Sequence, residues 1–262
     1  MTEARLMTTI LVERPADGVV VLRLNRPEAR NALNGELRQE LADRIREIGE
    51  DPDARCVVIT GNGKAFAAGA DLKEIVDDTP VEIMQRRALQ LWRVVAECPL
   101  PIIAAVNGPA FGGGCELALH ADIIVAGENA PMGQPEVRVG IMPGGGGTQR
   151  LIRAIGKYRA MKLVLTGDPI TGAEAAAMGL ASEAVPDDQV LDRSLEIART
   201  IASRPPLAIR FTKEVTLRGA DAALDTGLLM ERRMFEFLFS TEDQKEGMRA
   251  FIEKRDASFK GR

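Results

Sequence analysis

The stretch Asn107-Gly108-Pro109-Ala110-Phe111-Gly112-Gly113-Gly114-Cys115-Glu116 governs the reading of the whole chain. On its N-terminal side lies a short apolar run, Ile102 to Val106, and on its C-terminal side Leu117, Ala118, Leu119 and His120 follow directly. The pattern predicts a strand, a turn of small residues and the start of a helix. Glycine lets a ligand come close to the backbone, and the first turn of a helix presents N–H groups without intrahelical acceptors together with positive dipole character. Such a place suits an anion, and Glu116, within one turn of those amides, sets an acid or base beside it. A carboxylate at that position also has a simpler use, which is to cap its own helix.

A chain of 262 residues is long enough for one large domain or two, and buries roughly three quarters of its unfolded surface without needing disulfides. Cys56, Cys98 and Cys115 have no metal-site spacing, and the first two sit in apolar runs, so reduced thiols in a cytoplasmic protein are expected. The single histidine, His120, argues against Ser-His-Asp and Cys-His catalysis and most zinc sites; no metal is expected, and Cys115 has no base. The N-terminus has no charged region followed by a long apolar core, and no apolar run approaches the ~20 residues of a membrane span. Net charge is −4 with both signs interleaved, which offers no broad field for nucleic acid.

Along the chain, Val19 to Asn25 reads as a strand that stops at Arg26-Pro27, and Asn34 N-caps a helix carrying Leu37, Leu41, Ile45 and Ile48. Arg55 to Thr60 is a β-branched strand closed by Gly61-Asn62-Gly63. The small residues from Ala65 to Leu72 mark either a second close approach of backbone to ligand or tight packing at a strand end. Pro80 to Cys98 reads as one amphipathic helix with Arg86, Arg87 and Arg93 on a solvated face. A strand over Ala121 to Ala126 leads to Met132-Gly133-Gln134-Pro135-Glu136, where proline stiffens the backbone before a carboxylate, in a surface loop or a site. Gly144 to Gly147 precede a helix, but no Lys-Ser/Thr follows them and no early strand leads into them, which argues against a nucleotide phosphate loop.

A short helix capped by Thr171 and ending near Gly179 and a last strand over Ala181 to Val185 follow. Helices are then predicted over Gln189 to Ser203, Pro206 to Arg218, Ala220 to Phe239 and Glu242 to Lys254. Alternation first and helices last argue for an α/β core, residues 1–200, followed by a helical region, 201–262. Leu228, Leu229, Met234, Phe235, Phe237, Leu238 and Phe239 are more than one helix face buries; a subunit interface accounts for them better than a wide core face.

Together, Leu24-Asn25-Arg26-Pro27, Phe66-Ala67-Ala68-Gly69-Ala70-Asp71, Asn107-Gly108 with Gly112 to Glu116, and Gly133-Gln134-Pro135-Glu136 with Pro143-Gly144 and Gly147-Thr148-Gln149-Arg150 resemble the enoyl-CoA hydratase/isomerase (crotonase) family. The resemblance runs to the ending Phe251 to Arg255 and Phe259-Lys260. It implies a crotonase-like spiral of ββα units with a C-terminal helical trimerisation region, assembled as a trimer or dimer of trimers. It also implies an acyl-CoA thioester substrate and no cofactor beyond the coenzyme A that the substrate carries. The N–H groups of Ala70 and Gly113 are then expected to form an oxyanion hole, with Glu116 and Glu136 as acid and base on a water that Gly144 N–H helps to place. Two carboxylates sharing a site resist double ionisation, so one stays protonated near neutral pH, as addition of water to a conjugated C=C requires.

Within the family, isomerases and hydrolytic members usually lack one of the two glutamates; this chain keeps both, which favours hydration of a trans-2-enoyl-CoA to a 3-hydroxyacyl-CoA over isomerisation. For the CoA moiety the resemblance points to Arg26, Ala29 and Arg30 on one segment, Ala68, Asp71, Leu72 and Lys73 on another, and Lys254 for the phosphates. Glu28 stands where many hydratases carry a basic residue, which shifts that duty to Arg26, Arg30, Lys73 or Lys254. An RNA-binding relative is the competing non-enzymatic reading; its helix would be represented here only by Arg86, Arg87 and Arg93, interrupted by apolar residues and Glu97. Gly127-Glu128-Asn129-Ala130, Gly140 to Pro143 and Phe259 to Arg262 are similar to the branch of the family that hydrates a dehydroadipyl-CoA in phenylacetate degradation. An acidic acyl tail calls for a cation deep in the pocket, and no residue of the sequence stands out for it.

Overall fold

The computed structural model describes residues 8–262; the reading against a leader segment falls in part on residues 1–7 and lies outside them. A six-stranded sheet runs in the order β1 (Ile10–Ala16), β2 (Val19–Leu24), β3 (Cys56–Gly61), β4 (Ile102–Val106), β6 (Ile123–Gly127) and β8 (Glu183–Val185), while β5 (Ala110–Phe111) and β7 (Met132–Gly133) pair separately. β1 is antiparallel to β2, and every other neighbour is parallel. Parallel strands covered on both faces read as continuous apolar runs rather than alternating ones, which is why β3 and β4 are buried at every residue.

The two faces carry separate cores. Val57, Ile59, Ile102 and Ala104 pack with Leu37, Leu41 and Ile45 of α1 (Gly35–Glu50), with Leu117 of α5 (Gly113–His120) and with Leu151 of α6 (Gly147–Thr166). Val58, Ile103 and Val125 point the other way, onto Val190, Leu195 and Ala198 of α8 (Val190–Ala202). Each aliphatic side chain so buried contributes roughly 1.5–3 kcal/mol.

A second, fragmentary layer holds the site. Bridges join Leu33 to Ala70 and Ala67 to Ala110, β5 pairs with β7, and Met132 bridges Ile170. Successive units thus add a long strand to the first sheet, a short segment to the second layer and one or more helices, the spiral of ββα units expected. Close approach between turns is severe: a Cβ on Gly114 would sit 2.1 Å from the Ala67 carbonyl oxygen. Tight packing therefore does explain part of the small-residue run from Ala65 to Leu72.

The stretch from Pro80 to Cys98 is not one helix. It forms α3 (Pro80–Gln85) and α4 (Ala88–Ala96), broken where Arg87 takes the left-handed φ of 50°. Thr79 opens α3 with a capping box, and Arg86, at its end, is drawn off to the Asp78 carboxylate and the Glu74 carbonyl. α2 (Leu72–Ile75) and α7 (Gly172–Ala177) are short, and Thr171 caps the latter as expected. In the C-terminal region α9 (Pro206–Ala220) packs on α10 (Leu224–Leu238), the backbones meeting at Gly219 and Gly227, and α11 (Glu242–Glu253) follows. The helix expected from Ala220 starts four residues later, because α9 runs on through Ala220.

Candidate active site

Two backbone amides come together from segments far apart in sequence. Gly69 has φ 106° and Gly112 φ 50°, values in the region that favours glycine. Around them the donors are satisfied: Leu33 N–H bonds Gly69 O at 2.7 Å, Phe111 N–H bonds Ala67 O at 3.1 Å and Gly112 N–H bonds Gly133 O at 2.9 Å. Between these bonds the N–H groups of Ala70 and Gly113 donate to no acceptor among the described residues. They are neighbours, since the place a Cβ would take on Gly113 is 3.6 Å from the Ala70 nitrogen. The Ala67–Ala110 and Leu33–Ala70 bridges hold this geometry from both sides.

Glu116 is buried, on the inner face of α5. Its Oε1 accepts from Gly145 N–H at 2.7 Å and Gly147 N–H at 2.9 Å. The four-glycine run is thus a cradle for a protein carboxylate: the amides at the start of α6 meet Glu116 instead of a phosphate. Glycine is required there, because a Cβ on Gly145 would lie 2.5 Å from Glu116 Oε2 and 2.7 Å from Trp92 Nε1. Burial raises the proton affinity of Glu116, opposed by the two amides and by the nearby Arg38 cation.

Glu136 follows Pro135 in a single 3₁₀ turn and is half-buried. It lies against Gly112, where an added Cβ would be 3.0 Å from its Oε1, and so one residue from the free Gly113 amide. Burial first, and the charge of Glu116 second, push its carboxyl up to about 7. Gln134, wholly buried, lies beside it; with its amide assigned so that donors face acceptors, the nitrogen is 3.0 and 3.2 Å from the two Glu136 oxygens. Gly144 N–H donates to nothing among the described residues, and the space on its side-chain face is open.

Behind Glu116, His120 stacks on Trp92 at 5.3 Å and its Nδ1 is 2.7 Å from the Glu116 carbonyl oxygen. A carbonyl only accepts, so Nδ1 carries the proton, and burial lowers the imidazole to about 4, leaving it neutral. His120 is thus a packed helix residue, neutral and stacked. Cys115, pushed up to about 12 by burial, is an inert thiol. Arg38, on α1, places its guanidinium 6.0 Å from the Trp92 ring centroid.

The two segments assigned to CoA are side by side. Ala68 N–H bonds Arg30 O at 3.0 Å, and the buried Asn31 side chain donates to the carbonyls of Asn62 and Ala65 at 3.0 and 2.8 Å. Arg26 and Asp71 face each other: both guanidinium ends are 3.1 Å from Asp71 Oδ2, and Arg26 also bonds Ala32 O. Their charges are therefore mutually committed, whereas exposed Arg30 and Lys73 enter no ion pair among the described residues. Ala29 lies in the 3₁₀ turn before Arg30 and Leu72 opens α2 with its side chain exposed. Lys254 caps α11 in the left-handed conformation, exposed, and no hydrogen bond of its side chain joins it to the other site residues. On the helices of the competing RNA reading, Arg86 is held by Asp78 and Glu74, and Arg93 pairs with Glu97 at 3.4 Å. The cradle at Gly145 and Gly147, Gln134, Trp92 and Arg38 were not singled out in the sequence; the Gly-rich run before α6 was the one available signal.

This geometry has close counterparts. A probable enoyl-CoA hydratase of Mycobacterium tuberculosis is 47% identical over 251 residues, covering 96% of this chain and 97% of that protein. The 2,3-dehydroadipyl-CoA hydratase of Escherichia coli is 45% identical over 256 residues, 98% of this chain and 100% of that one. The crystal structure of an enoyl-CoA hydratase from Bacillus anthracis superposes with a TM-score of 0.94 at 40% identity, covering 97% and 100% of the two chains. The family profile described as enoyl-CoA hydratase/isomerase matches residues 14–262, and with amides, paired carboxylates and spiral layers all in place, this chain belongs to the enoyl-CoA hydratase/isomerase family.

Proposed function

We propose that the protein is an enoyl-CoA hydratase, a lyase that adds water across the 2,3 double bond of a trans-2-enoyl-CoA. The observation that carries this reading is the placement of Glu116 and Glu136 around the unpartnered Ala70 and Gly113 amides. The thioester oxygen accepts from both amides, which are already oriented and cost no reorganisation as negative charge develops there. Water lies between the glutamates, oriented by Gly144 N–H. Glu116, whose carboxyl is raised on balance by burial while two amides and Arg38 support its ionised form against that effect, takes a proton from the water as the water oxygen bonds C3. Glu136, held near neutrality in its protonated form, delivers a proton to C2. The enolate collapses to the 3-hydroxyacyl thioester, with one water consumed and no electrons transferred, so the proposal needs no cofactor beyond the substrate's CoA.

The CoA arm runs along Arg26 to Arg30 and Ala68 to Lys73. Arg30, Lys73 and Lys254 carry the phosphate contacts, and Arg26 with Asp71 ties the two segments together. A trimer, alone or doubled, belongs to the same proposal: Leu228, Leu229, Phe235, Phe237 and Phe239 stay between 45% and 57% exposed on one chain, an apolar load that a subunit contact would cover. Three buried free thiols suit a reducing cytoplasm.

The test follows loss of the conjugated thioester absorbance with crotonyl-CoA. Wild type is expected to hydrate it, and Glu116→Gln and Glu136→Gln each to lose roughly 10²- to 10⁴-fold in kcat with substrate binding retained. Near-normal turnover by either variant would sink the two-carboxylate mechanism.

A further inference from the structure

We propose that the indole N–H of Trp92 binds the oxygen that adds to C3, which makes Trp92 a further catalytic residue of the hydration and a recognition point for the 3-hydroxyl of the product. The inference rests on the hydratase reading above and assigns a donor that reading does not use.

Trp92, the one tryptophan of the chain, lies on α4 and is 5% exposed. An indole N–H so enclosed ordinarily finds an acceptor. Here the ring stacks on His120 at 5.3 Å with an interplanar angle of 18°, and the Arg38 guanidinium lies 6.0 Å from its centroid. These contacts fix the ring plane without using the N–H, which donates to no acceptor among the described residues.

The N–H lies beside the catalytic carboxylate. Glu116 Oε1 takes the Gly145 and Gly147 amides, and Oε2 accepts from no donor among the described residues. The side-chain position of Gly145 is 2.5 Å from that oxygen and 2.7 Å from Trp92 Nε1, so a free acceptor and a free donor flank one glycine with no bond between them. Neither is sealed from solvent: among the described residues, the enclosed side-chain polar atoms without a partner are the Nε atoms of Arg38, Arg44 and Arg210. What donates to one and accepts from the other is a water or a hydroxyl. Gly144, whose N–H is also free, is the adjoining residue.

In the hydration a water proton passes to Glu116 Oε2 as the O–C3 bond forms, and the indole keeps its own proton throughout. The oxygen spends one lone pair on C3 and accepts with the other, so a fixed indole donor beside the Gly144 amide narrows its approach. The same donor then meets the 3-hydroxyl oxygen of the product. Two simpler roles are a structural water that stays between Trp92 and Glu116, and a ring that only packs on His120. Both predict equal effects on ligands with and without a 3-hydroxyl.

The experiment measures Kd by calorimetry for both enantiomers of 3-hydroxybutyryl-CoA and for butyryl-CoA, in a Glu136→Gln background so that the hydroxyl is not eliminated. Three proteins are compared: Trp92 intact, Trp92→Phe, and Trp92 replaced by benzothienylalanine, an isostere with sulfur in place of the indole N–H. With a single tryptophan in the chain, that replacement is confined to position 92. The affinity of the better-bound enantiomer relative to butyryl-CoA is expected to fall roughly 3- to 10-fold in both variants, the size of one neutral hydrogen bond. In the isostere, butyryl-CoA itself should bind within about twofold of the Trp92 protein, since ring volume and stacking are kept. In otherwise wild-type enzyme the isostere should lower kcat on crotonyl-CoA by a similar factor with KM unchanged. An affinity ratio unchanged in the isostere overturns the proposal, as does a parallel loss for all three ligands. Absence of hydration of every enoyl-CoA by the wild type overturns the hydratase reading instead, and the hydroxyl seat at Trp92 is then decided by the affinity ratio alone.

Discussion

Replacing Glu136 by glutamine should make the protein more stable at pH 8 and leave its stability unchanged at pH 4. The native carboxyl sits at about 7, raised by burial and by Glu116, against ~4.3 for an unfolded glutamate. Between those values the native state holds a proton that the unfolded state has released, so stability falls as pH rises through this window and levels off above it. The full difference corresponds to about 3.6 kcal/mol at pH 8; water reaching a half-buried carboxyl, and the Gln134 amide that favours its ionised form, reduce this to about 1–2 kcal/mol. Glutamine keeps the shape and cannot ionise, so the variant escapes the penalty. Urea titrations of both proteins at pH 4, 5, 6, 7 and 8 measure it as a gap that opens with pH. A gap that is flat with pH, or that widens toward acid, refutes the placement of Glu136 in a desolvated site beside Glu116.

The same carboxyl predicts that kcat of the wild type declines as pH rises past about 7, because the proton donor to C2 is lost; stopped-time assays across pH 5.5–9 should show that limb, and its absence would reassign the acid. Gly145→Ala inserts a methyl 2.5 Å from Glu116 Oε2 and 2.7 Å from Trp92 Nε1, and should cost roughly 1–3 kcal/mol of stability and at least ~100-fold in kcat, read by thermal melts and turnover. Arg26→Ala leaves Asp71 without its partner, and should destabilise by about 1–2 kcal/mol while raising KM more than it lowers kcat, since it loosens the CoA segments and spares the glutamates. His120→Phe keeps the stack on Trp92 and loses one donor to the Glu116 carbonyl; about 1 kcal/mol of stability and a kcat within roughly threefold of wild type are expected, and a collapse of kcat would make the histidine more than a packing residue.

The long elements were legible because their causes are local. β3 and β4 announce themselves as apolar runs, α1 by Leu37, Leu41, Ile45 and the Asn34 cap, and α7 by Thr171 with Glu174 three residues on. β5 and β7 were not, since two-residue strands carry no periodicity and exist only because neighbouring turns of the spiral press together. The break at Arg87 was hidden for a related reason: the apolar spacing continues through it, and the competing attraction of Asp78 and Glu74 for Arg86 depends on where α2 lies. At the site, Glu116 beside a glycine-opened helix and Glu136 after its proline stand out in their own segments, but a helix cap and a surface loop explain them equally well there, and only the family resemblance pairs them.

What the sequence by itself determined was the list of parts: buried parallel strands, a helix started by glycines, two carboxylates, a single histidine unsuited to catalysis, and the family these motifs resemble. Only the tertiary structure decided what faces what. It set the Ala70 amide beside that of Gly113, turned the glycine run before α6 onto Glu116, pressed Glu136 against Gly112 and left the Trp92 N–H beside Glu116 without an acceptor. Side-chain spacing along a chain fixes which face a residue takes, whereas the direction of a free N–H or a carboxyl is set by contacts tens of residues apart. The chemistry of this site is made of those contacts.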